Sequence, residues 1–133
     1  MTPRSLIAIA AFSPIAALTA CTAEMDRERD IRAPAIEALG PAQSCIQLSR
    51  IDHTEVHDDY TIDFHMAGDT IYRNTLPNRC PSLGFEESFG YSTSLSQLCS
   101  TDIIHVLYSD GQRGASCGLG EFLPVRINKP DRD

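Results

Sequence analysis

Four cysteines spread along one short stretch constrain this chain more than anything else in it: Cys45, Cys80, Cys99 and Cys117. The chain has 133 residues, room for one small domain. A domain of that size buries a modest core and often relies on covalent staples. In an oxidising compartment an even number of cysteines implies two disulfides, for which three pairings exist. The pairing expected here is Cys80 with Cys99, closing an irregular loop, and Cys45 with Cys117, tying an opening strand to a late one. A four-cysteine zinc site is disfavoured, because the spacings are long and no C-x-x-C pair is present.

The fifth cysteine, Cys21, makes the count odd unless it has another use. It follows Arg4 and an apolar stretch from Leu6 to Leu18, which read as the n- and h-regions of a signal peptide. The stretch is shorter than the ~20 residues a membrane span needs, and it contains Pro14. Leu18-Thr19-Ala20-Cys21 resembles the lipobox of bacterial lipoproteins. The resemblance implies that Cys21 is lipidated and becomes the mature N-terminus, residues 1–21 being the signal peptide together with its lipobox. Cleavage by ordinary signal peptidase after the same small residues is the alternative. The rest of the chain is then expected to work in the bacterial envelope, lipid-anchored and facing the periplasm. Thr22 in place of Asp points to the outer membrane.

Acidic residues outnumber basic ones 18 to 11, a net charge of −7. No run is dense in Lys or Arg, so neither nucleic acid nor anionic lipid is an expected partner. The anchor, not charge, is expected to hold the protein to its membrane.

Residues 22–43 read as a tether. Its mixed charges suit a solvated spacer, and Ala35 to Leu39 suits a short helix started by Pro34 and stopped by Gly40. Residues 44–128 read as a β domain and 129–133 as a polar tail. Cys45 to Ile51 is an expected strand, running on toward Val56. Tyr60 to Met66 alternates apolar with polar residues, the clearest strand signal in the chain. Gly68-Asp69 is an expected turn, and Thr70 to Leu76 a further strand. Asn78 to Ser100 reads as a long loop with one helical turn near Ser94 to Leu98. Thr101 to Tyr108 and Gln112 to Cys117 are expected strands joined by Ser109-Asp110-Gly111, where Asp-Gly suits positive φ. Gly118-x-Gly120 marks a bulge. Phe122 to Ile127 is expected at a sheet edge, since Pro124 cannot donate to a ladder. Five or six short strands with little helix suggest a small antiparallel barrel or sandwich, braced by disulfides.

From Cys45 to Val125 the chain also carries Tyr72-x-Asn74-x-Leu76, Arg79-Cys80-Pro81-x-Leu83, Leu98-Cys99-x-x-Asp102-x-Ile104 and Cys117-x-Leu119-Gly120-x-Phe122. This pattern resembles a family of small proteobacterial envelope lipoproteins and exported proteins with a domain of unknown function. The resemblance implies an exported, disulfide-braced domain and brings no catalytic residue with it.

Ligand-type side chains are densest in Asp52-His53-Thr54-Glu55-Val56-His57-Asp58-Asp59. Extended backbone puts His53, Glu55 and His57 on one face. A loop at residues 57–59 would set His53 opposite Asp63 and Ile51 opposite His65. His53, Glu55, Asp63 and His65 then share a face that suits imidazole-binding metals or acid–base work. The solvated face of a half-exposed sheet produces the same pattern without any chemistry. Tyr72 and Asn74 are candidate pocket residues, with an internal brace as the simpler role for Asn74. Asp102 is expected to cap a turn. No G-x-S-x-G elbow is present, and oxidised cysteines offer no thiolate. The reading is a non-catalytic binding or structural module, without cofactor or metal. It would bind an envelope protein or a small ligand. The alternative is a metal-assisted or acid–base enzyme using the His53/Glu55/Asp63/His65 face.

Overall fold

The computed structural model describes residues 31–129. Cys21, the lipobox, the front of the expected tether and the end of the polar tail lie outside the described residues. The strands are β1 (Ile36–Ala38), β2 (Cys45–Gln47), β3 (Ile51–Val56), β4 (Thr61–Met66) and β5 (Ile71–Thr75). After the short helix α1 (Leu83–Glu86) come β6 (Phe89–Tyr91), β7 (Gln97–Cys99), β8 (Ile103–Leu107), β9 (Arg113–Gly118) and β10 (Phe122–Ile127). They form three open antiparallel sheets, ordered β1-β10-β5-β4-β3, β2-β7 and β6-β8-β9. The barrel expectation is corrected: the five-stranded sheet ends on β1 and β3, which do not pair with each other.

Alternation places the core. On β4, Ile62, Phe64 and Met66 turn to one side, where they join Leu76, Leu83, Leu98, Ile104, Val106 and Phe122. Phe64 meets Phe122 edge-on at 5.4 Å and Phe89 at 6.2 Å between ring centroids. Each fully buried side chain of this size contributes about 1.5–3 kcal/mol over exposure. The β4–β5 turn passes through Gly68 at φ +94°, and the β8–β9 turn through Gly111 at φ +83°. Gly120 is fixed by approach rather than by φ, since a Cβ there would collide with the Thr75 carbonyl oxygen.

Several expectations are overturned. Residues 36–38 form an edge strand on β10 rather than a tether helix. Ile36 and Ala38 sit opposite Ile127 and Val125, and pairing to a preformed strand outweighs the weak helical tendency of so short a segment. β10 therefore lies inside the sheet, between β1 and β5. Its Pro124 is tolerated because the Pro124 carbonyl, which accepts from Leu39 N–H, points toward β1. The ring nitrogen faces the same side, where β1 has already ended at Ala38, so the ladder to β5 loses nothing.

A 3₁₀ turn at Leu48–Arg50 splits the expected first strand into β2 and β3. The long loop holds α1, β6 and β7, and Gln97 and Leu98, expected to end a helical turn, are strand. β7 overturns the disulfide pairing as well. It sets Cys99 directly opposite Cys45 on β2, and these two are bonded, with Cα atoms 4.0 Å apart. Cys80 joins Cys117 across the core. Two disulfides in a domain this small mark an oxidising, extracytoplasmic compartment.

Candidate functional site

The β3–β4 hairpin carries the candidate residues. His57 N–H donates to the Thr61 carbonyl at 3.0 Å, so the loop is centred one residue later than expected, at Asp59, and the Asp58 carboxylate fixes the turn by accepting from Tyr60 N–H at 2.8 Å. His53 therefore pairs with His65, and Glu55 with Asp63. Moving the loop by one residue shifts the register by two, and a two-residue shift keeps every side chain on its face. His53, Glu55, Asp63 and His65 do share one face, although their pairing differs from that expected. A bulge between Ile51 and His53 brings neighbours together, so His53 Nδ1 lies 2.8 Å from Asp52.

Only part of this face is the solvated surface that alternation suggests, since His53 and Glu55 are exposed. Asp63 is fully buried, and Arg73 nearly so. Arg73 grips Asp63 with two hydrogen bonds, Nε and a terminal amino group each at 2.8 Å. The other guanidinium nitrogen donates to the Pro34 carbonyl at 2.6 Å. The segment around Pro34 thus crosses this face. Its Arg32 and Ala33 N–H groups are held by Asp58 at 2.7 and 3.1 Å. Burial by itself would raise the Asp63 pKa. The hydrogen bonds from Arg73 and then His57, with the charges of both, outweigh it and hold Asp63 below the ordinary aspartate range.

An ionised Asp63 can only accept, which fixes the histidine beside it. His57 lies 2.7 Å from Asp63 through Nε2, so Nε2 carries the proton and donates. His57 Nδ1 then faces Glu55 at 3.9 Å. The second Glu55 oxygen lies 3.5 Å from Nε2 of His65. That nitrogen is buried without a hydrogen-bond partner among the described residues. The His65 ring stacks on His53 at 4.2 Å, 10° from parallel. Glu55 therefore stands between two imidazoles, with each contact longer than a hydrogen bond. Among the described residues no group of three His, Cys, Asp or Glu side chains is placed to hold a metal ion.

Glu55, His57 and His65 form one end of an open groove of about 670 Å³. Ile71, Val125 and Ile127 give it an apolar side. Phe85, Phe89 and Tyr91 do not close over it. Phe89 packs on Phe64 on the core side, and Phe85 and Tyr91 are exposed.

The other candidates separate. Asn74 is an internal brace, donating to the Gly120 carbonyl at 2.7 Å and accepting from Gly120 N–H at 2.8 Å. Tyr72 lines a different cleft, of about 290 Å³, where its hydroxyl accepts from Gln43 at 3.2 Å. Asp102 caps its turn through Cys99 N–H at 2.7 Å. Arg73 and the Pro34 carbonyl were missed. Arg73 was within reach of the sequence: a hairpin centred on Gly68 that pairs Met66 with Thr70 also pairs Asp63 with Arg73. Pro34 had no such signal, because its contact depends on the path of the segment before β1.

The fold and site define a small, disulfide-braced β domain with a histidine–carboxylate groove. No family model, curated protein or solved structure matches the chain.

Proposed function

We propose that this protein is a lipid-anchored lipoprotein of the bacterial envelope, on the periplasmic side of the outer membrane, whose β domain is a non-catalytic binding module. Leu18-Thr19-Ala20-Cys21 supports the anchor, and the cysteine pattern supports kinship with small proteobacterial envelope lipoproteins. The groove carries the binding reading. It joins an apolar side to a few convergent polar groups, the usual make-up of a small-molecule site, and its volume lies within the range of ~300–1,000 Å³ such sites span. The acid–base alternative has one observation in its favour, the His57–Asp63 pair, which fixes the imidazole as a catalytic carboxylate would. Against it, Asp63 is fully buried and accepts three hydrogen bonds from Arg73 and His57, so it is held as a structural anion rather than offered to a ligand.

The test is native mass spectrometry of the detergent-extracted protein beside an Ile71→Trp variant, in which a bulky ring fills the groove. A small molecule released by wild type and missing from the folded variant supports the reading. The same release from both proteins, or none from either, sinks it.

A further inference from the structure

The polar end of the groove has an excess of acceptors. Asp63 accepts the proton on His57 Nε2, so with that single ring proton His57 presents a lone pair at Nδ1 toward Glu55. Glu55 is ionisable and its side chain is half-exposed. It stands 3.9 and 3.5 Å from its two imidazoles and is bonded to neither. Asp69 lines the same groove. Two cations line it too, but Arg126 is bound to Glu37 at 2.9 Å, which leaves Lys129. A group satisfying Glu55 and His57 together must bring several N–H donors and positive charge. A primary ammonium has three donors and no acceptor. Ile71 and Ile127 would then lie along an aliphatic stem.

Resting on the groove as a ligand site, we propose that it takes a small aliphatic amine, with the ammonium bound between Glu55 Oε1 and His57 Nδ1. Glu55 is the specificity-determining residue, His57 the second acceptor, and Asp63 with Arg73 the positioning pair that sets the His57 tautomer.

The experiment uses the full chain in a zwitterionic detergent and two probes of equal length and opposite charge, 1,5-diaminopentane and pentanedioate. Amide chemical shifts of Ile71 and Val125 report occupancy. The diamine is expected to shift them saturably and the diacid to leave them unmoved. Glu55→Gln is expected to weaken diamine binding about tenfold, the worth of one charged hydrogen bond. Glu121→Gln, which removes an exposed carboxylate outside the groove, is expected to change nothing. Both variants alter exposed side chains, and their amide spectra establish that the fold is kept. Equal weakening by the two substitutions would mean diffuse attraction to an acidic protein and would overturn the assignment. Diacid binding would overturn it while leaving the groove a ligand site. If neither probe moves the groove amides, the amine assignment fails, and the groove reading stands or falls on the Ile71→Trp comparison alone.

Discussion

Asp63 shows how much a single side chain can carry. It is a buried anion whose position depends on Arg73 and which in turn orients His57. Removing one partner of a buried ion pair leaves an uncompensated charge, and that costs about 3–5 kcal/mol. Asp63→Asn strands Arg73 and should lower stability by that order in urea unfolding. The pair Asp63→Leu with Arg73→Met should cost less, because no charge is left alone. The pH dependence follows from the same contacts. The folded pKa of Asp63 lies below its ordinary value of 3.8. The stabilisation is therefore complete above that value and is lost as pH falls through the lower, folded one. The stability gap between wild type and Asp63→Asn should be flat near neutrality and shrink only below about pH 4. A gap already closing at pH 6 would place its source elsewhere. Alternation identified Asp63 as a site residue but predicted it exposed. Alternation reports which face a residue is on, and only the path of the Pro34 segment decides whether that face is covered.

Strand length decided which elements could be read. β4, β5, β8 and β10 have five or six residues each, enough for a period of two to show in Ile62-Asp63-Phe64-His65. β1, β2, β6 and β7 have three each, and three residues display no period. Missing β7 led directly to the wrong disulfides. The observed pairing closes separations of 54 and 37 residues, and loop entropy assigns each bond about 4 kcal/mol. Non-reducing peptide mapping should recover Cys45 with Cys99 and Cys80 with Cys117. Cys45 joined to Cys80 or to Cys117 would refute the β2–β7 register. β1 can be tested alone. Glu37 faces Arg126 across the ladder, midway between the Ala35–Asn128 and Leu39–Pro124 hydrogen bonds. Glu37→Pro removes its N–H there and should cost on the order of 1–2 kcal/mol. The Leu39 and Asn128 amides should lose hydrogen-exchange protection while those of β4 keep theirs. Unchanged protection at both positions would mean that β1 does not hold the edge of the sheet.

At the scale of the whole molecule, the fold and the proposed anchor are separable, because they use different cysteines. The domain consumes Cys45, Cys80, Cys99 and Cys117 in two bonds. Cys21 therefore has no disulfide partner among the described residues and is available for the modification that Leu18-Thr19-Ala20 resembles a signal for. The described domain begins soon afterwards. By Arg32 the chain is already clamped to Asp58, so the span between Cys21 and the domain is about ten residues, roughly 35 Å if fully extended. An anchor at Cys21 would keep the domain close to the bilayer rather than at the end of a long leash. Changing Cys21 should thus abolish attachment without disturbing the β domain. In Cys21→Ser, the precursor should keep its first 21 residues, fail to incorporate labelled fatty acid, and still show both disulfides by peptide mapping. A Cys21→Ser protein that matures to wild-type size and stays with the membrane would refute the anchor. Loss of the disulfides in the same variant would show instead that Cys21 takes part in folding, and the two functions would no longer be independent.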